Sequence, residues 1–90
     1  FFEKNIFKYL WYWQSAGGGF GYPWYGRTYN IGLEPFTSHG HRGLTDAIEN
    51  GTAIQLQAGE SISASQCAVA FSGAKGVESI DSNGTVRMRN

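Results

Sequence analysis

The sequence is poor in the devices that usually reinforce a small chain. It has a single cysteine, two prolines and no excess of either charge. One thiol, Cys67, makes no disulfide within the chain, and there is no cysteine cluster to hold zinc. Cys67 lies in a run of small apolar residues, where an inert buried thiol is expected. Seven basic and seven acidic residues leave zero formal net charge. That balance argues against a nucleic-acid binder, which shows a basic patch. No apolar run is long enough to cross a bilayer, so no membrane partner is expected. No signal peptide is visible, and a cytoplasmic location is the corresponding expectation. There is no glycine-rich phosphate loop leading into a helix, no nucleophile elbow and no internal repeat.

Ninety residues make one domain or part of one. A chain of that size buries only about 60–65% of its unfolded surface. The aromatics that would feed its core are unevenly placed. Thirteen of the fourteen lie in residues 1–36, and only Phe71 lies beyond. The second half is built from Ala, Ser, Ile, Val and Gly instead. This asymmetry fits an aromatic half that packs against, or lines a cleft with, something outside this chain.

Phe7–Trp13 alternates as a strand, with Phe7, Tyr9, Trp11 and Trp13 on one face and Lys8, Leu10 and Tyr12 on the other. Gln14–Gly21 carries four glycines and reads as a flexible loop. Tyr29–Glu34 is the next strand, stopped by Pro35. Thr37–Gly43 is a polar loop. Leu44–Asn50 fits two turns of helix with Asn50-Gly51 as its C-cap, and Thr45 offers an N-cap for a shorter version. Beyond Thr52 the pattern is all strand. Ala53–Gln57 alternates with Ile54 and Leu56 inward, and Ala58-Gly59 is a tight turn. Glu60–Phe71 is a long strand with Cys67, Val69 and Phe71 on one face. Val77–Ile80 and Thr85–Met88 form a hairpin around Asn83-Gly84, whose residues supply positive φ. Five or six strands and little helix predict an all-β, antiparallel sandwich. Asn50-Gly-Thr and Asn83-Gly-Thr match the glycosylation acceptor pattern but are read as turns.

Residues 20–36 hold the chemistry. Six aromatics, three glycines, two prolines, Arg27 and Glu34 fall within this stretch. Sugar faces are apolar C–H surfaces that pack on rings, and sugar hydroxyls need fixed polar partners. The loop rings Tyr22, Trp24 and Tyr25 are therefore candidate ligand contacts, whereas Trp11 and Trp13, alternating on a strand, belong to the core or a cleft wall. Arg27 can fork onto a ligand oxygen or stack on a ring, and it can equally pair with Glu34 or a carbonyl. With Leu33 facing the core, Glu34 faces the other side, beside Tyr29 and the aromatic loop. Desolvation by those rings would make its carboxylate a better base. On composition alone a solvated strand-end glutamate is the commoner outcome. His39 and His41 sit in a loop, where an exposed pair is favoured over a metal site. One of them, His39, is a candidate contact to a polar ligand.

The segments YLWYWQSAGGGFGYPWYGRTYNIGLEPFTS and GLTDAIENGTAIQLQAGESI resemble the C-terminal part of the galactose mutarotase-like (aldose 1-epimerase) superfamily, nearest to a bacterial aldose-epimerase-like branch. The resemblance spans roughly residues 7–72. It includes the glutamate-bearing strand Tyr29–Glu34 and the Leu56-Gln57-Ala58-Gly59-Glu60 turn. It implies that residues 1–90 are a single segment, the C-terminal portion of a larger sugar-binding β-supersandwich. It also implies that Glu34 is the general base that takes the proton of a sugar's anomeric hydroxyl. The acid in that family is a histidine from earlier strands; His39 and His41 follow the base and do not match it. No metal or other cofactor is implied. The expected partner is a hexose or related sugar, with the upstream part of the domain or a second chain completing the structure. The alternative is a non-catalytic carbohydrate-binding domain of the same fold.

Overall fold

The computed structural model describes residues 1–73 and 75–89. Its regular elements are β1 (Tyr9–Ala16), β2 (Tyr29–Phe36), α1 (Leu44–Glu49), β3 (Val77–Ile80) and β4 (Val86–Met88). Strand is the main regular structure, arranged as two separate two-stranded antiparallel sheets, β1–β2 and β3–β4. The fold is all-β at this level, with one short helix. Among the described residues no helix is long and apolar enough to cross a membrane. The chain divides into two compact units, one of Phe7–Gln55 and one of Phe1–Ile6 with Leu56–Asn90.

In the first unit, β1 and β2 pair in unbroken register from Tyr9↔Phe36 to Ala16↔Tyr29. Side chains alternate across a strand, so the pairing sorts the residues into two faces. Tyr9, Trp11 and Trp13 share one face with Gly32, Glu34 and Phe36, as the alternation in the sequence predicts for β1. The ring of Trp11 stacks on that of Phe36, with centroids 4.1 Å apart and an 11° interplanar angle. Its indole N–H donates to the Ser38 carbonyl at 2.9 Å. Aromatic cross-strand contacts of this kind are the unit of sheet stabilisation.

The strands differ from expectation at both ends. β1 runs on through Gln14 and Ser15 to Ala16, because each of those residues finds a partner in β2. The glycine segment after it is closed by backbone bonds, from Gly17 N–H to Thr28 at 2.9 Å and from Gly26 N–H to Gly19 at 2.7 Å. β2 does not stop at Pro35 but continues to Phe36. Each strand of a two-stranded ribbon has one open edge, and proline is tolerated where its missing N–H would face that edge.

Helix α1 forms as the sequence predicts. Gly51, at φ 77°, closes it from the C′ position. The N-cap is Gly43, without a side-chain hydrogen bond, rather than Thr45. Both glycosylation-type tripeptides are Asx turns: Asn50 Oδ1 accepts from Thr52 N–H at 3.1 Å and Asn83 Oδ1 from Thr85 N–H at 3.0 Å.

The chain beyond α1 corrects the strand-rich reading most. Ala53–Gln57 forms no strand, and Ile54 and Leu56 are exposed rather than inward. Glu60–Phe71 is not a ladder strand; its pairing is a single isolated bridge, Phe2↔Gln66. Strand patterning needs a partner edge, and the small side chains of this segment offer little cross-strand contact to hold one. Phe71 is exposed, and Cys67 is half-buried rather than buried. The turn at Ala58-Gly59 is present, with Glu60 N–H bonded to Gln57 O at 3.0 Å and Gly59 at φ 77°. The hairpin is present too, with a register shift between Val77 and Ser79. Gly84 alone, at φ 86°, takes positive φ there; Asn83 does not. Among the described residues only Ala47 is buried, at 4% exposure.

Candidate functional site

The site is built on the aromatic face of the β1–β2 sheet and on the loop that joins the two strands. Two consecutive turns shape the loop. In the first, Trp24 N–H reaches Gly21 O at 2.8 Å across a cis Tyr22–Pro23 peptide. In the second, Arg27 N–H reaches Trp24 O at 3.0 Å, with φ 49° at Tyr25 and 69° at Gly26. Positive φ at both central residues is the signature of a type I′ turn. Glycine fits this geometry freely, whereas Tyr25 adopts it at a cost of about 1–2 kcal/mol. A side chain at Gly26 would also meet the Phe20 ring at 3.1 Å.

These turns fold Trp24 back over β1. Its ring lies 5.6 Å from that of Trp13, tilted by 45°. Beside this pair lies a groove of about 310 Å³, lined by Trp13, Trp24, the end of β1 and Gly18-Gly19. That volume lies at the small end of ligand pockets, about 300–1,000 Å³.

Glu34 flanks the other side of Trp13. It stands opposite Trp11 in the ladder, and its carboxylate bends back along β2 over Gly32. A Cβ placed at Gly32 would lie 3.3 Å from Glu34 Oε1, 3.6 Å from Trp13 Cβ and 3.8 Å from Trp13 Cε3. The missing side chain of Gly32 thus makes the space in which carboxylate and indole come together. Glu34 is exposed, so burial within this chain does not supply the desolvation expected of it. Nor is it beside Tyr29. Residues 29, 31 and 33 share the opposite face, and Leu33 there is exposed rather than in a core.

The remaining candidates divide. Tyr22 and Tyr25 pack edge-on against each other, with centroids 6.1 Å apart, and both are exposed on the loop. Arg27 is exposed. The ion pairs found among the described residues are Arg42 with Asp46 and Glu49, and Arg87 with Asp81, so of the alternatives open to Arg27 the pair with Glu34 is not the one formed. His39 lies at the Tyr9 end of the aromatic face, edge-on to that ring at 5.1 Å. Its carbonyl accepts from Asn50 Nδ2 at 2.9 Å, and its N–H donates to Thr52 Oγ1 at 3.2 Å. His39 is thus tied into the helix-end turn and stands apart from the Trp13–Trp24 groove. Among the described residues no three His, Cys, Asp or Glu side chains cluster as a metal site would need.

Trp13, read from the sequence as core or cleft wall, lines the groove. Its strand parity gave its face, but its partner Trp24 is eleven positions away and arrives through turn geometry. A lone strand glycine such as Gly32 has no chemistry of its own. The signal available was that such a glycine marks a close approach by another group. Comparison of the chain with family models, with curated proteins and with solved structures finds no match.

Proposed function

We propose that the chain contributes the base and the aromatic wall of a sugar site of the aldose 1-epimerase kind. In this reading the two small sheets belong to a larger β-sandwich of the mutarotase-like type. The observation that carries the reading is the approach of the Glu34 carboxylate to Trp13 over Gly32, with Trp24 packed against Trp13 from the loop. The indoles offer faces for the C–H surface of a pyranose, and the carboxylate offers an acceptor for one of its hydroxyls. Glu34 would take the proton from the anomeric hydroxyl while an acid protonates the ring oxygen. The ring C–O bond then breaks, the aldehyde rotates, and reclosure with the protons returned gives the other anomer. No histidine of this chain stands at Glu34, so the acid is assigned to residues outside these ninety. The chain alone is therefore expected to bind sugar without accelerating mutarotation.

Polarimetry tests the chemical step. In a protein that joins this chain to its acid-bearing partner segment, Glu34→Gln should reduce accelerated mutarotation by a factor of about 100 or more. An unchanged rate would remove Glu34 from the mechanism. The exposure of Glu34 favours a second reading, a sugar-binding domain without catalysis. That reading predicts sugar binding by the assembled protein with no change in the rate of anomer exchange.

A further inference from the structure

The tripeptide Asn-Gly-Thr occurs twice, at residues 50–52 and 83–85. The two copies share their backbone geometry as well as their sequence. In each, the asparagine Oδ1 accepts from the threonine N–H, at 3.1 Å in the first and 3.0 Å in the second. In each, the glycine has positive φ, 77° at Gly51 and 86° at Gly84. An asparagine before a glycine can lose its side-chain amide to attack by the glycine nitrogen, because no Cβ there hinders the approach. We propose that Asn83 is a site of spontaneous deamidation in the folded chain, and that Asn50, with the same residues after it, is protected by its side-chain hydrogen bonds.

The chemistry needs water and no other co-reactant. The Gly84 nitrogen gives its proton to water and attacks Asn83 Cγ. The N–Cγ bond forms, the Cγ–Nδ2 bond breaks, and ammonia leaves with that proton. The product is a five-membered succinimide. A second water adds its hydroxyl to one of the two ring carbonyl carbons and its remaining proton to the ring nitrogen. Opening at Cγ gives aspartate. Opening at the backbone carbonyl gives isoaspartate, in which the chain runs through the former side chain.

Before attack, the carboxamide must turn from its resting position toward the next backbone nitrogen. At Asn50 that movement breaks bonds at both ends of the group. Its Oδ1 also accepts from the Thr52 hydroxyl at 2.6 Å. Its Nδ2, the leaving group, donates to the His39 carbonyl at 2.9 Å and so ties the side chain to the loop before α1. At Asn83 the bond from Thr85 N–H is the one found for the side chain among the described residues. Two further bonds of ordinary net strength slow Asn50 by about tenfold or more. The attacking nitrogens are both bonded, Gly51 to the Ile48 carbonyl at 3.2 Å and Gly84 to the Asp81 carbonyl at 2.9 Å. The shorter bond at Gly84 works against Asn83, and the two extra bonds at Asn50 outweigh it.

Either product adds a carboxylate to the turn that holds Asp81 and takes the formal net charge from zero to minus one. Isoaspartate also lengthens the backbone inside a turn closed by Asp81 N–H to the Thr85 carbonyl at 2.9 Å. The modification thus strikes at the closure of the β3–β4 hairpin.

Peptide mapping by mass spectrometry tests the proposal on the full ninety-residue chain, incubated at neutral pH with and without concentrated urea. The mass gained when –OH replaces –NH2 marks conversion at each site. In urea the two sites should convert at similar rates, since the residues that follow each asparagine are the same. In the folded chain Asn83 should convert at least about tenfold faster than Asn50. Thr52→Val removes the hydroxyl bond and should speed Asn50 by about fivefold while leaving Asn83 unchanged. Equal rates in the folded chain, or a faster Asn50, would overturn the proposal. So would a Thr52→Val chain in which Asn50 is as slow as in the parent. A gap as large in urea would assign the difference to sequence and overturn it too, as would a folded chain in which neither site converts.

Discussion

The two units of the chain were both patterned as strands, and only one built a sheet of any length. In the Phe7–Gln55 unit, eight-residue β1 and β2 pair along their whole length. In the other unit, the twelve residues from Glu60 to Phe71, read as a strand with Cys67, Val69 and Phe71 on one face, make one isolated bridge. The difference lies in what each alternating residue meets. Tyr9, Trp11 and Tyr12 meet Phe36, Glu34 and Leu33, large groups whose contact area rewards one register. Ser, Ala and Gln meet little. The second unit is ordered locally instead, where turn chemistry works at short range: Gly59 in one turn, and Gly84 with the Asn83 side chain in the hairpin. Loop closure costs little over such spans.

Substitutions can break this contrast, and the largest effect is expected at Trp11. Trp11→Ala removes the stack on Phe36 and the indole bond to Ser38, and should destabilise the chain by about 3 kcal/mol. A shift in the urea midpoint measures it. Equal loss on replacing Phe71, the lone aromatic of the second half, would erase the contrast. Gly26→Ala comes next. It forces a side chain into positive φ and onto the Phe20 ring at 3.1 Å, and should cost about 2 kcal/mol. Gly84→Ala carries the same backbone penalty, but its nearest neighbours, Cys67 Sγ at 3.6 Å and Val69 Cγ2 at 3.7 Å, sit at ordinary contact distance. About 1 kcal/mol is expected, and thermal unfolding of the pair ranks them. The smallest effect belongs to Ser63→Ala, exposed and unpaired in the long extended segment. It should lie within about 0.5 kcal/mol of the parent. A larger loss on denaturant titration would reveal a ladder there.

These comparisons also explain how much could be read from the sequence. Helix α1, the Ala58-Gly59 turn, both Asx turns and the aromatic face of β1 depend on spacings within a few residues, and all were legible. What was not legible depends on pairing at a distance. The continuation of β2 through Pro35 follows from having an open edge, and the exposure of Leu33 follows from nothing covering its face. Glu34 was recognised as a candidate by its type and position. Its neighbours depend on the parity of β2, which puts Tyr29 on the far side and Trp13 on the near one. Trp24 was named from its loop, whereas its contact with Trp13 required the two turns between Gly21 and Arg27. The sandwich drawn from counting strands rested on Ala53–Gln57 and Glu60–Phe71, the segments for which no partner strand forms.

The groove claim has its own ordering of effects. Trp24→Ala removes one wall and should weaken sugar binding by a factor of about 10 or more, since aromatic stacking contributes about 0.5–1.5 kcal/mol beyond area burial. Gly32→Val should block the space shared by Glu34 and Trp13 while leaving the ladder intact. His39→Ala, at the other end of the face, should leave sugar affinity unchanged. Isothermal titration with D-galactose and D-glucose orders the three variants. Equal losses at His39 and Trp24 would spread the site along the entire face.

The most direct test is a proton–nitrogen correlation spectrum of the chain titrated with D-galactose. The three tryptophans report separately through their indole N–H signals. The account predicts that the Trp13 and Trp24 signals move together with the Glu34 amide along one saturating curve. The Trp11 indole, bonded to Ser38 and stacked on Phe36, should stay in place. No movement at any indole, or movement of Trp11 with Trp13 and Trp24 still, would contradict the assignment of a sugar site to this groove.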